Sequence, residues 1–318
     1  MKKTPLGRRI TAFDQFGTQF ERITPLTVCA KIPIRLFFGL QSAVSDYTGW
    51  PWSLDNRAWS LDNRAEVKNI TPNGMIVPKR NKVLEYNLLV RRFAEIINTF
   101  DIGSLIDSWH VPLNVRIKYG EVNAINLTRD HPTEHAHSDS WAGESAESVT
   151  VHIPLFGDTK CNYVQMFYPP EEFEESWLGP RATYLEGSQE IASHYQKIDY
   201  VTPIGSLMLM DFATLHASTR LPEAGTRVSI DTTFVLRKPG VDQEVIHPWR
   251  KEERMSHKIL SGIGETHLMY FPDSPDEQVD SRGGFKHPSN LVVRRIDGGA
   301  GFDPLFVHQD IMKVEEQS

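Results

Sequence analysis

The sequence predicts a mainly β protein, a sandwich or barrel with helices on its N-terminal side. Beyond Asp107 come many short strand-like runs with no helical pattern between them. The clearest helical periodicity lies before them, from Val83 to Phe100, and after Lys238 the pattern weakens into a Gly-, Pro- and charge-rich tail. Short strands bounded by turn residues, without interleaved helices, argue for packed or closed antiparallel sheets rather than an alternating α/β fold.

Taken in order, Met1 to Pro5 is basic, but no apolar stretch follows before Arg8-Arg9, so the start reads as a solvated tail and not a signal peptide. The segment Trp52–Ala58 is repeated at once as Trp59–Ala65. Repeat architectures need several stacked units, so this reads as a loop that tolerated a duplication, with Trp50, Trp52 and Trp59 as a contact surface in the alternative. Between Val83 and Phe100 the residues Tyr86, Leu89, Val90, Phe93, Ile96, Ile97 and Phe100 recur at helical spacing, a stripe suited to a core.

Val115–Tyr119, Val149–Ile153, Tyr163–Phe167, Ser206–Met210 and Arg227–Val235 read as strands. Between Pro169 and Pro203 lies a polar insert with an acidic run at Glu171–Glu175 and an expected short helix near Gln189 to Gln196; it reads as a lid. Asp297–Gly301 is an expected flexible stretch. We expect one domain over 1–318: a helical and loop region over 1–109, a core over 110–238 and an extension over 239–318.

Composition narrows the function. The chain has 318 residues, 40% of them hydrophobic, with 34 Lys plus Arg against 41 Asp plus Glu and a net charge of −7. Such a chain can bury a core, and its acidity disfavours a nucleic-acid partner. Its 2 cysteines support neither a disulfide framework nor a zinc–thiolate site. No apolar run is long enough for a membrane helix, so the expectation is a soluble, cytoplasmic protein.

Among 12 histidines, geometry must choose. His137 and Asp139 sit at i and i+2, which on an extended segment share a face. His135 lacks a carboxylate at that spacing and is assigned to the lip of the site or to the layer behind the ligands. His308-Gln309-Asp310 has the same spacing but is peripheral. His216 ends the strand-like stretch Gly205–His216, and a turn over Leu221–Thr226 leads to Arg227. Folded as a hairpin, His216 and Arg227 would lie across from each other. Arg227, Ser229 and Asp231 then share one face, with Val228 and Ile230 on the other. His152 reads as a core or surface histidine, and His110, His194, His247, His257, His267 and His287 as structural.

Two histidines and one carboxylate form the facial triad that favours Fe(II), while zinc would have no need of the arginine nearby. Arg227 with Ser229 suits a small dicarboxylate. These residues resemble the Fe(II)/2-oxoglutarate-dependent oxygenase superfamily, which carries His-x-Asp, a distal His and then an Arg on a double-stranded β-helix, the cupin-like jelly roll. His137, Asp139, His216 and Arg227 match, at the family's spacing from His216 to Arg227, and Ser229 fits an Arg-x-Ser variant. The match covers about 110–238, with the insert accounting for the long interval before His216. There is also a general similarity to bacterial natural-product oxygenases.

The resemblance implies a jelly-roll core with flanking N-terminal helices and a lid-like insert. It implies Fe(II) held by His137, Asp139 and His216, with 2-oxoglutarate and O2 as co-reactants. Arg227 and Ser229 would hold the distal carboxylate, and Asn126, Tyr119 and Gln165 are further candidates for the cosubstrate. Trp141, Tyr168 and Arg220 are candidates for the pocket of a small-molecule substrate. Retention of Asp139 favours hydroxylation, with desaturation or ring formation also open. A protein substrate on the same scaffold and a cupin-like metal binder without turnover remain as alternatives.

Overall fold

The computed structural model describes residues 4–49, 70–71, 73–76, 78, 80–111, 113–121, 130–237, 254–272, 291–296 and 304–307. The tandem Trp52–Ala65 segment, Asn126, Asp297–Gly301 and His308–Asp310 lie outside them.

Helix α1 (Pro5–Phe13) begins where the Thr4 hydroxyl accepts the Gly7 N–H and Pro5 occupies the first turn. A hairpin, β1 (Glu21–Thr24) and β2 (Thr27–Lys31), leads to α2 (Ile34–Thr48), which stops at Gly49 with a φ of 76°. A short β3 (Met75–Ile76) precedes α3 (Val83–Thr99), the helix read from periodicity. Then come β4 (Ile106–His110), β5 (Asn114–Lys118), β6 (Ser148–Gly157) and β7 (Asn162–Tyr168). The insert supplies α4 (Tyr184–Ile191) and β8 (Gln196–Ile198). The helix starts earlier than expected, because Thr183 caps it by accepting the Glu186 N–H.

Next are β9 (Ser206–Asp211), β10 (Leu215–Arg220) and β11 (Arg227–Leu236). Strand β12 (Arg254–Ser256) and α5 (His257–Leu260) follow, then β13 (His267–Tyr270), β14 (Val292–Arg295) and β15 (Pro304–Val307). The last of these strands form a separate antiparallel sheet in the order β13-β14-β15.

Strand β11 is the spine of the large antiparallel sheet. It pairs with β6 along one side, and with β5 and then β4 along the other. Beyond β6 lie β9, β2 and β1; β12 lies outside β4, and β3 outside β5. A small sheet runs β10-β7-β8. The chain passes from one sheet to the other at each turn, with β6 in the large sheet, β7 and β8 in the small one, then β9 large, β10 small and β11 large. That alternation is a jelly roll.

Two sequence expectations are corrected here. Gly205–His216 is two strands in two sheets, broken where the Asp211 carboxylate accepts the Ala213 N–H at 2.7 Å. And β10 does not form a hairpin with β11. His216 pairs with Met166 and Arg227 with Lys118 and Gly157, so the two residues face each other across the interior instead of lying side by side.

The outer face of the large sheet, with Val28, Ile117, Val151, Ile153, Val228 and Ile230, packs under α2 and α3 in the main core. The α3 residues Tyr86, Leu89, Val90, Phe93, Ile96 and Ile97 are all buried there. C-terminal residues Leu260, Ile263, Met269 and Val293 join the same cluster. The inner face meets the small sheet through Met166, Met208 and Met210. Between the sheets this leaves a polar cavity of about 110 Å³. No described helix is long and apolar enough to cross a membrane.

Candidate metal centre

His137 and His216 exchange backbone hydrogen bonds, the His137 N–H donating to the His216 carbonyl at 2.9 Å and the reverse at 2.8 Å. This bridge continues the small sheet beyond β10 and sets the imidazoles side by side, with centroids 4.3 Å apart. Asp139 opens a 3-10 turn, Asp139–Ala142, which is capped by the Ser138 side chain accepting the Ser140 N–H. The His137 Nε2 lies 3.7 Å from Asp139 Oδ1, and the His216 Nε2 lies 3.8 Å from Asp139 Oδ2. All three ligand atoms fall within 4.8 Å of one another.

One ring orientation follows from the hydrogen bonding. The His137 Nδ1–H donates to the His135 carbonyl at 2.7 Å, which leaves Nε2 as a lone pair. That nitrogen is buried and has no hydrogen-bond partner among the described residues. Burial, followed by the neighbouring His216, pushes the His137 pKa well down, so the ring is neutral and able to ligate. Burial raises the Asp139 carboxyl, with His216 acting in the opposite sense. A buried lone pair facing a carboxylate and a second imidazole is the donor set of a mononuclear metal site, and Fe(II) fits it.

The anion end of the cavity is built on β11. Arg227 and Ser229 are 2% and 1% exposed. The Arg227 Nε and Nη1 and the Ser229 Oγ find no partner among the described residues. Burial lowers the Arg227 pKa to about 10, with Arg116 and Arg220 adding to the effect against Asp231, so the guanidinium stays charged at neutral pH. A buried cation with free donors is costly unless an anion meets it. A carboxylate fits this end.

Several cavity residues escaped sequence reasoning. On β5, Asn114, Arg116 and Lys118 point inward while Val115 and Ile117 enter the core. Arg116 holds Asp231 through contacts of 2.6 and 2.8 Å, and Asn114 adds another at 2.9 Å. Burial alone would raise the Asp231 carboxyl, but Arg116 brings it down to about 2. The Lys118 ammonium donates to Thr133 at 2.6 Å and lies 3.7 Å from Glu134; burial, then Arg116, lowers its pKa to about 7. His152, read as a core or surface histidine, and His110, read as structural, both line the cavity, as do Thr150 and Glu144. The signal that could have found the strand residues is the alternation itself. Asn114/Arg116/Lys118 and Thr150/His152 carry the same every-second-residue polarity as Arg227/Ser229/Asp231.

Other candidates are placed elsewhere. Gln165 spends its amide on the Met166 and Ile198 carbonyls, because it lies on the opposite face of β7 from cavity-lining Val164. Tyr119 packs against the main core, and Arg220 bonds the Tyr119 carbonyl and Glu134, leaving both outside the lining. Trp141, 1% exposed, donates its indole N–H to the Trp177 carbonyl at 2.8 Å and packs, with Tyr168, in the second apolar cluster. These aromatics are packing residues because the insert folds over them. Tyr184 at the start of α4 stacks on His137 at 4.0 Å, so the insert is part of the wall behind the metal ligands.

Fold and site together define a jelly roll that brings two imidazoles, one carboxylate and an unmatched buried arginine to a common interior cavity. The chain matches no protein-family model and no curated protein. Among solved structures it is similar to EctD from S. alaskensis with 2-oxoglutarate and 5-hydroxyectoine, at 15% identity and a TM-score of 0.40, over 79% of this chain and 84% of that one. It is also similar to AviO1 from Streptomyces viridochromogenes Tue57, at 12% identity and a TM-score of 0.39, over 74% and 96%. A third is SnoK, a non-haem alpha-ketoglutarate-dependent carbocyclase from nogalamycin biosynthesis, at 11% identity and a TM-score of 0.37, over 76% and 90%.

Proposed function

We propose that this protein is an Fe(II)- and 2-oxoglutarate-dependent oxygenase. It hydroxylates, desaturates or cyclises a small polar metabolite in natural-product biosynthesis, as the sequence resemblance implies. The observation that carries the reading is the sharing of one cavity by the His137–Asp139–His216 cluster and the unpartnered pair Arg227 and Ser229. A metal centre alone would not call for a buried guanidinium with free donors.

His137, Asp139 and His216 hold the metal, and Thr150 donates to Asp139 Oδ2 at 3.4 Å, restraining the carboxylate. Arg227 and Ser229 orient the cosubstrate through its distal carboxylate. When bound, iron and 2-oxoglutarate supply the oxidising power, O2 being consumed with release of succinate and CO2 as the substrate is oxidised.

The test needs no substrate. Fe(II) and then 2-oxoglutarate are added anaerobically, and the visible charge-transfer band of the chelate is sought. We expect a band in the native protein and none in His216→Ala. Fe(II) binding without a band would refute the cosubstrate, and no metal binding would refute the centre.

A further inference from the structure

His152 is 5% exposed and lines the cavity from the middle of β6, yet neither ring nitrogen has a hydrogen-bond partner among the described residues. A buried imidazole with both nitrogens unmatched is rare, since buried polar side chains are almost always satisfied. The carboxylate nearest in register, Asp231, is directly opposite on β11, but Arg116 and Asn114 already occupy it. The side opposite β11 offers only Met208 of β9. Something brought into the cavity must meet the ring.

The charges around it say what kind of group that is. After burial, Arg227 acts most strongly on the ring, then Asp231, His216 and Arg116, and the pKa falls to about 3. The ring is therefore a neutral imidazole, with one N–H donor and one acceptor. It lines the same cavity as the cations Arg227, Arg116 and Lys118, which together draw an anion there. A ring N–H left without a partner among the described residues of that cavity is available to the anion.

We propose that His152 is a binding residue of the same pocket, donating its ring N–H to a carboxylate oxygen of the 2-oxo acid held by Arg227. This rests on the reading of the cavity as a 2-oxo acid site. It makes the anion pocket a three-sided one: a charged fork from Arg227, a hydroxyl from Ser229 and a neutral N–H from the neighbouring strand. Because the imidazole contributes no charge, its role is to orient the carboxylate and to sharpen selection for it.

The test is equilibrium binding, with zinc standing in for Fe(II) so that no turnover occurs. Calorimetry with 2-oxoglutarate compares the native protein with His152→Phe and His152→Gln. Loss of a hydrogen bond to a charged acceptor should weaken binding roughly ten- to a hundred-fold in His152→Phe. His152→Gln, which keeps a donor, should recover most of it. Binding by His152→Phe within about two-fold of native would overturn the assignment. Absence of binding by the native zinc protein would overturn the parent reading along with it.

A second measurement does not depend on the phenylalanine variant folding. In 15N-histidine-labelled native zinc protein, the ring signal missing from His152→Gln should shift and exchange more slowly when 2-oxoglutarate is added. A signal that responds to zinc but not to 2-oxoglutarate would assign the ring to the metal's own water and overturn the proposal.

Discussion

Arg227 places a charge in an interior where its Nε and Nη1 find no partner among the described residues, so binding capacity here works against stability. Replacing a buried charge that lacks hydrogen-bond partners with an apolar side chain of similar length removes its desolvation cost. Arg227→Met should therefore leave the ligand-free fold at least as stable in urea denaturation while abolishing 2-oxoglutarate binding. A marked loss of stability would mean that the guanidinium holds the two sheets together. Lys118 gives a pH dependence. Its pKa is about 7 in the fold against about 10.4 unfolded, so its protonated form is penalised, and the cost is present below pH 7 and relieved as pH rises towards 10. A carboxylate arriving beside Arg227, its register partner, raises the Lys118 pKa again. Binding at pH 8 should then take up a proton. Calorimetry in buffers of different ionisation enthalpy should show an uptake that Lys118→Met removes, and affinity should fall as pH rises above 7.

Elements are held around the centre by specific clamps. Arg9 of α1, 5% exposed, donates to Asp211 at the end of β9 at 2.9 Å, to the Ala146 carbonyl at 3.0 Å and to Glu175 of the insert at 2.6 Å. One side chain thus ties the N-terminal helix, the β9–β10 corner and the insert together. Arg9→Met leaves the Asp211 carboxylate buried without its countercharge, and should cost about 3–5 kcal/mol in chemical denaturation. The insert helix α4 offers a test of opposite sign to propensity. Alanine in place of a helical glycine normally stabilises by roughly 1 kcal/mol. At Gly187 an added Cβ would lie 2.6 Å from the Trp141 ring, so Gly187→Ala should destabilise instead, by about 1–3 kcal/mol. A stabilised variant would show that α4 can lift away from the turn carrying Asp139.

At the scale of the molecule, the C-terminal extension is structurally continuous with the jelly roll. Strand β12 extends the large sheet beside β4, and Arg254 reaches Glu144 at the cavity wall at 3.0 Å. Leu260, Ile263, Met269 and Val293 are buried in the main core. A chain ended after Leu236 would expose that apolar surface and an unpaired edge on β4. It should fail to give the dispersed amide spectrum of the full chain, and a native-like spectrum from the truncated chain would show the jelly roll to be self-sufficient.

Local order in the sequence determined what depends on neighbours along the chain. The α3 stripe, the strand runs and the inward face of Arg227, Ser229 and Asp231 are periodicities, and periodicity survives any tertiary arrangement. His137 and Asp139 were legible because both residues lie on one short segment. What only the tertiary structure decided depends on register and corners. The run Gly205–His216 is apolar on both faces up to Met210, since Leu207 and Leu209 enter the main core and Met208 and Met210 face the small sheet, and Asp211 alone hints at the corner that follows it. Without that corner, β10 looked like a hairpin partner of β11. In β6 the alternation sets Thr150 and His152 apart from Val149, Val151 and Ile153, but the pairing with β11 is what turns that polar side towards the cavity. Gln165 had the right residue type on the wrong face, and Trp141 met an insert whose docking no local pattern records. Contacts between segments far apart in sequence set these outcomes.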